Sequence, residues 1–258
     1  MRHSLLLHIV LATLLLTAHA TASAPPEVDH SAFDDLLSTY VDSDGMVDYE
    51  GIQQAHAEVL KPYLETLANA QVDGLSPDEE LAFWINAYNA LTIDLIVRHY
   101  PVEDIFETYE DNPFEKTVGV VAGNEVSLDE LEHDFIDARF DDPRFHFALV
   151  CAAMSCPPLR QEAYTGDRLD QQLEEQTRQF IRDESHNQIE GQHATIHLST
   201  IFDWFEDDFG GSPEGVQQYL ATFFDGETRA RLEAAAFAVE YNTYDWTLND
   251  QAIATAGR

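Results

Sequence analysis

Residues 146–160, "HFALVCAAMSCPPLR", hold both cysteines of the chain, Cys151 and Cys156, behind a histidine, His146. Two chemistries suit these residue types. As a thiolate, Cys156 would be a nucleophile, which requires an imidazole within hydrogen-bond reach and a third group to orient that imidazole. His146 and His133 are the candidate bases. Asn86 and its near neighbour Asn89 are the candidate orienting amides, on the pattern of Cys-His-Asn sites. As a disulfide, Cys151 and Cys156 would close a short loop contributing ~2 kcal/mol in the chain-entropy account. A regular strand would hold their Cα atoms roughly 16 Å apart, whereas a bridge needs them within about 7 Å. The bridge therefore requires the chain to turn at "AAMS". Both chemistries stay open at this point.

Aromatic residues near polar ones give a third possibility, a ligand groove. Trp84, Asn89, Trp204, Asp245 and Trp246 are the candidate ligand-binding residues, with Tyr88 and Tyr244 beside them. Buried tryptophans serve core packing as well, and Asp245 and Asn249 in "YDWTLND" would suit either a pocket lip or a hydrogen-bonded clasp. His193 and His197 could share a strand face, but without a third ligand they read as solvated hairpin residues, so no metal is assigned. Asp42, Asp44 and Asp48 in "DSDGMVDYEG" lack the spacing and terminal Glu of a calcium loop, and a tight Asp-Gly turn is the better reading. There is no HExxH, no G-x-S-x-G and no phosphate-binding glycine loop, and no cofactor is expected.

These residues sit in a chain with 48 Asp and Glu against 13 Lys and Arg, a formal net charge of −35. The carboxylates are spread along the sequence, so mutual repulsion is a property of the whole surface. Molar salt shortens the Debye length to about 3 Å and screens most of it, which points to a halophilic or salt-tolerant setting. Nucleic acid is excluded as a partner, because phosphate contacts need a basic surface. Arg2 and His3 precede an apolar run from Leu5 to Leu16 and overlapping A-x-A patterns, the layout of a signal peptide over residues 1–24 with cleavage near Ala20 or Ala22. The run is too short to span a bilayer, and no later stretch is long and uncharged enough. The expected product is exported, periplasmic or extracellular, with no transmembrane segment in the mature chain.

The elements that must position the site follow from periodicity and caps. Phe33, Leu36, Leu37 and Tyr40 mark a first helix, and "GIQQAHAEVLKPYLETLANA" a second, interrupted at Pro62. Ser76, Pro77 and Glu79 open a third with a capping box, and "ELAFWINAYNALTIDLIVRHY" is apolar on nearly every side, as a central buried helix must be. "KTVGVVAGNEVSL" predicts a hairpin turning at residues 122–124, and "SLDELEHDFID" a helix capped by Ser127. "FHFALVCAA" reads as a buried strand, with a helical segment the alternative that periodicity alone leaves open, "DRLDQQLEEQTRQFIRD" as an amphipathic helix, "NQIEGQHATIHLS" as a hairpin and "TIFDWFEDDF" as a short aromatic helix. Two helices fill residues 213–236 and an extended segment follows. Helices interspersed with hairpins predict a single α+β domain over residues 27–250.

"AFWINAYNALTI", "SLDELEH", "HFALVCAAMSCPPLR", "LSTIFDWFEDDF" and "YDWTLN", in that order, resemble the family of domain of unknown function five-four-seven, from about His30 to Asn249. The resemblance is to the exported bacterial form, without the leucine-zipper-like segment of plant relatives, and implies one domain but no activity. "HFALV" also resembles the histidine-bearing strand of papain-like and transglutaminase-like folds, although the central helix has no cysteine at its start. The expected function is an exported envelope protein with an aromatic cleft beside the Cys151/Cys156 loop, binding a peptide, glycan or envelope protein. The alternative is a thiol-dependent acyl-transfer enzyme or hydrolase using Cys156.

Overall fold

The computed structural model describes residues 28–189 and 194–256. The expected leader and His193 lie outside these residues. Helices α1 (Ser31–Tyr40), α2 (Tyr49–Val59), α3 (Lys61–Asn69) and α4 (Pro77–His99) come first. Strands β1 (Gly119–Val121) and β2 (Asn124–Val126) form an antiparallel hairpin with Gly119 opposite Val126. Helix α5 (Leu128–Glu130) runs on as a π-helix, Leu131–Asp137. Then come α6 (Leu169–Arg182), β3 (Thr195–Leu198), α7 (Ile201–Trp204), α8 (Pro213–Ala221), α9 (Gly226–Glu233), β4 (Ala238–Tyr241) and α10 (Gln251–Ala256).

Helix α4 organises the molecule. Ser76 Oγ accepts the Glu79 backbone N–H, and the Glu79 carboxylate accepts the Ser76 N–H at 2.8 Å, so two donors that the first turn would leave bare are satisfied. Every residue from Leu81 to Val97 is buried. Each large apolar side chain so placed stabilises the fold by roughly 1.5–3 kcal/mol relative to exposure. Helices α2, α3, α5 and α6 pack around α4, and α1 packs on α2 and α3. Pro62 stands at the start of α3, where its missing N–H costs nothing, and so separates α3 from α2.

This first apolar cluster spans α1 to the start of α6. A second gathers Phe147, Phe180, Phe202 and Phe209 with Leu220 and Leu232 beneath β3 and β4. The architecture is a single α+β domain with small sheets. Gln188 and His197 form the antiparallel bridge expected of the hairpin, whose residues 190–193 lie outside the described residues. On its other side β3 pairs in parallel with β4, Thr195 opposite Ala238 and Leu198 opposite Tyr241, with helices α7 to α9 in the crossover. His197 lies 3.7 Å from Glu240 and faces no metal cluster among the described residues. No helix among those residues is long and apolar enough to cross a membrane.

Residues 145–153 depart from the expected strand. Pro143–Phe147 is a 3-10 turn, and the chain beyond it is irregular yet buried. Asn89 replaces a strand partner: its amide donates to Ala148 O at 2.9 Å and accepts from Val150 N at 2.9 Å. Asn86, one turn earlier on α4, does the same for Tyr164, donating to its carbonyl and accepting from its N–H.

The segment 245–250 threads back across the domain. Met154 N donates to Thr247 O, Asn249 N to Ala152 O and Val47 N to Asn249 O, all within 3.0 Å. Tyr49 and Tyr100 hydroxyls close on Asn249 and Asp250, each at 2.7 Å. The turn before Val47 uses Asp42 Oδ1 to accept from Asp44 and Met46, with Gly45 at φ +78° against the backbone of Pro158 and Leu159, where a side chain would not fit.

Candidate functional site

Where the two apolar clusters meet, a pocket of about 120 Å³ opens. Tyr88 enters from α4 and Leu149 from the irregular segment. Ile201, Trp204 and Phe205 enter from α7 and its end, and Tyr244 and Trp246 from the returning segment. Its polar members are Glu132 and His146, and both cysteines lie on its wall.

The cysteine loop is shaped by a left-handed Ala152 (φ +66°) and a turn in which Cys156 N donates to Ala153 O. This brings the Cα atoms of Cys151 and Cys156 to 6.3 Å and the sulfurs to disulfide distance. Cys156 is 4% exposed and Cys151 is half-buried. The sulfurs differ in their partners. Cys156 Sγ accepts the Cys151 N–H at 3.0 Å and the Ala153 N–H at 3.4 Å, while the Tyr244 hydroxyl lies 3.1 Å from Cys151 Sγ and 3.2 Å from Cys156 Sγ.

His146 comes from the 3-10 turn, its side chain 1% exposed and its ring stacked on Phe205 at 3.9 Å. Nε2 lies 2.8 Å from Asp208 Oδ2, the geometry of an Nε2–H donating to a carboxylate. Nδ1 is then the lone-pair nitrogen. It is buried without a hydrogen-bond partner and lies 3.9 Å from Glu132 Oε1, too far for a direct bond. Burial drives the imidazole down to about 4, against the Asp208 hydrogen bond and charge that favour protonation. Burial likewise pushes the Glu132 carboxyl up to about 7; His133 opposes this, and Asp129 and Asp137 add to it. Between about pH 4 and pH 7 the pocket thus holds a neutral acid facing a neutral base, two groups able to share a bridging hydroxyl.

The sequence-selected residues divide by position. His146, Cys151, Cys156, Trp204 and Trp246 line the pocket. His133 stands outside its lining, half exposed and 3.7 Å from Asp129. Asn86 and Asn89 are consumed by backbone groups. Trp84 packs on Phe83 and Phe135, with its indole N–H toward Glu80. The Asp245 carbonyl accepts from Ser155 N, its N–H donates to Ser155 Oγ, and its carboxylate accepts from Thr247 N. Glu132 and Asp208 were not among the selected residues. Glu132 carried a signal: with Leu128, Leu131, Phe135 and Ile136 it makes an i, i+3, i+4, i+7, i+8 stripe, a carboxylate on an otherwise apolar face. Asp208, in "EDDF" among 48 acidic residues, carried none.

No curated protein and no solved structure matches the chain. The model of the family described as "Protein of unknown function, DUF547" matches residues 72–181, which include α4, the β1–β2 hairpin, Glu132, His146 and both cysteines. Over residues 72–181 the chain is therefore similar to domain of unknown function family 547.

Proposed function

We propose that the chain is an exported binding protein whose aromatic pocket takes one compact apolar group bearing a hydroxyl, such as the phenolic end of a peptide side chain. The observation that carries this reading is the orphaned Nδ1 of His146, a buried acceptor aimed at a carboxyl that burial keeps neutral, inside a pocket otherwise walled by aromatic rings, aliphatic side chains and the two sulfurs. Buried polar atoms are ordinarily paired, so an unpartnered one in a cavity favours a ligand that brings the missing donor. A cavity of roughly 150 Å³ accommodates benzene, and the volume here, about 120 Å³, suits one small ring.

Calorimetric titration with p-cresol and with toluene tests the reading. One hydrogen bond is worth about 1.4 kcal/mol, so p-cresol should bind about tenfold more tightly. Equal affinity for the two, or no binding of either, would sink it.

The thiol-enzyme alternative is less well supported, because His146 directs Nε2 at Asp208 and Nδ1 at Glu132, and neither nitrogen forms a hydrogen bond to sulfur. Rapid alkylation of Cys156 in the unreduced native protein would reverse that preference.

A further inference from the structure

The two sulfurs of the pocket wall are chemically unequal, and we infer from this inequality that the Cys151–Cys156 bridge undergoes thiol–disulfide exchange with a compact external thiol, Cys151 being attacked and Cys156 leaving. The inference rests on the loop geometry and holds whether or not the pocket binds a hydroxyl-bearing ligand.

In thiol–disulfide exchange the sulfur better able to carry negative charge departs faster. Cys156 Sγ accepts two backbone N–H groups, from Cys151 and Ala153, in addition to its contact with the Tyr244 hydroxyl. These donors are fixed by the turn, and hydrogen bonds to the charged form of a thiol lower its pKa. Cys151 Sγ has the Tyr244 hydroxyl alone. Access runs the same way: Cys151 is half-buried, whereas Cys156 is 4% exposed. A buried leaving sulfur held by backbone donors and a more open partner make an attacker choose Cys151.

The step balances as follows. The thiolate RS⁻ forms a new S–S bond to Cys151 Sγ, and the Cys151–Cys156 bond breaks with its electron pair on Cys156 Sγ. A second RS⁻ then attacks the R sulfur of the mixed disulfide, releasing RSSR and the Cys151 thiolate. Two thiols are oxidised to one disulfide, the protein bridge is reduced by two electrons, and the two thiol protons end on the cysteines or in solvent. The substrate class follows from size and charge. A pocket of about 120 Å³ admits a small thiol, and a net charge of −35 favours neutral or cationic thiols over anionic ones.

The test uses the whole folded protein and limiting 2-mercaptoethanol, followed by acid quench, alkylation of free thiols and cyanogen bromide cleavage at Met154, which separates the two cysteines. The mercaptoethanol adduct is expected on Cys151 and the alkyl label on Cys156, with a preference of about tenfold or more that disappears when the exchange is run in urea. Tyr244→Phe should slow the native exchange several-fold without altering the rate in urea. Cysteamine should react faster than thioglycolate after correction for thiol pKa. An adduct on Cys156, an even split, or a native bridge that stays intact while the unfolded one is reduced would each overturn the proposal. Failure of p-cresol to bind bears on the ligand reading alone.

Discussion

Nδ1 of His146 stands 3.9 Å from Oε1 of Glu132, with no hydrogen bond between them and no other partner for the nitrogen. Solvent hardly reaches the imidazole, so the gap is filled either by a bridging polar atom or by nothing. Four expectations follow from this pair and its surroundings.

Glu132 makes stability depend on pH in a stated direction. Burial raises its carboxyl from 4.5 to about 7, so below pH 4.5 it is protonated in folded and unfolded chains alike and costs nothing. As pH climbs toward 7 only the unfolded chain ionises, and the fold loses up to about 3 kcal/mol before the loss levels off. Glu132→Gln removes this loss. Urea midpoints of variant and parent at constant salt should nearly coincide at pH 4.5, and the variant should be the more stable at pH 8. A difference that does not vary with pH would refute the assignment.

Asn89→Leu fits the α4 position in size but leaves Ala148 O and Val150 N unpaired in the core. The expected loss is about 3 kcal/mol in urea unfolding, from two buried backbone groups without partners. A loss below about 1 kcal/mol would mean that water reaches this segment.

Trp204 is 48% exposed, stacks on Trp246 and meets Tyr244 at a tilt at the pocket mouth. Trp204→Ala should weaken p-cresol binding about tenfold while moving the melting temperature by only a few degrees, because about half of the residue already faces solvent. Unchanged affinity would place the ligand elsewhere.

The net charge of −35 predicts a melting temperature that rises steeply between low and molar salt. A melting point independent of salt would count against the halophilic reading. The same experiment in sulfate would separate screening from surface exclusion.

Local signals were legible in the sequence, and non-local ones were not. The capping boxes at Ser76/Glu79 and Ser127/Glu130 are complete within four residues, and both are present in the structure. The break at Pro62 and the β1–β2 turn are equally local. The segment Phe145–Val150 was misread because a run buried on every side has no periodicity, and its backbone is satisfied by an amide of α4 some sixty positions earlier, Asn89. The partner of β3 lies beyond three helices, so only the antiparallel hairpin was visible from sequence. At the pocket, residue types identified His146, Cys151, Cys156, Trp204 and Trp246, whereas Asp208 became visible only as the atom opposite Nε2.

The returning segment 244–250 gives the pocket a place in time. Tyr244 and Trp246 form its wall, and Thr247 and Asn249 hold the cysteine loop by backbone hydrogen bonds. In a chain made from its N-terminus, Cys151 and Cys156 emerge long before the residues that enclose them. A nascent chain therefore presents two accessible thiols to whatever oxidant it meets, and the site is sealed around the sulfurs only when residue 250 has docked against Val47 and Tyr100. Oxidation during synthesis and oxidation of the finished fold are thus separate events, the first open to any partner and the second admitting only what fits the pocket.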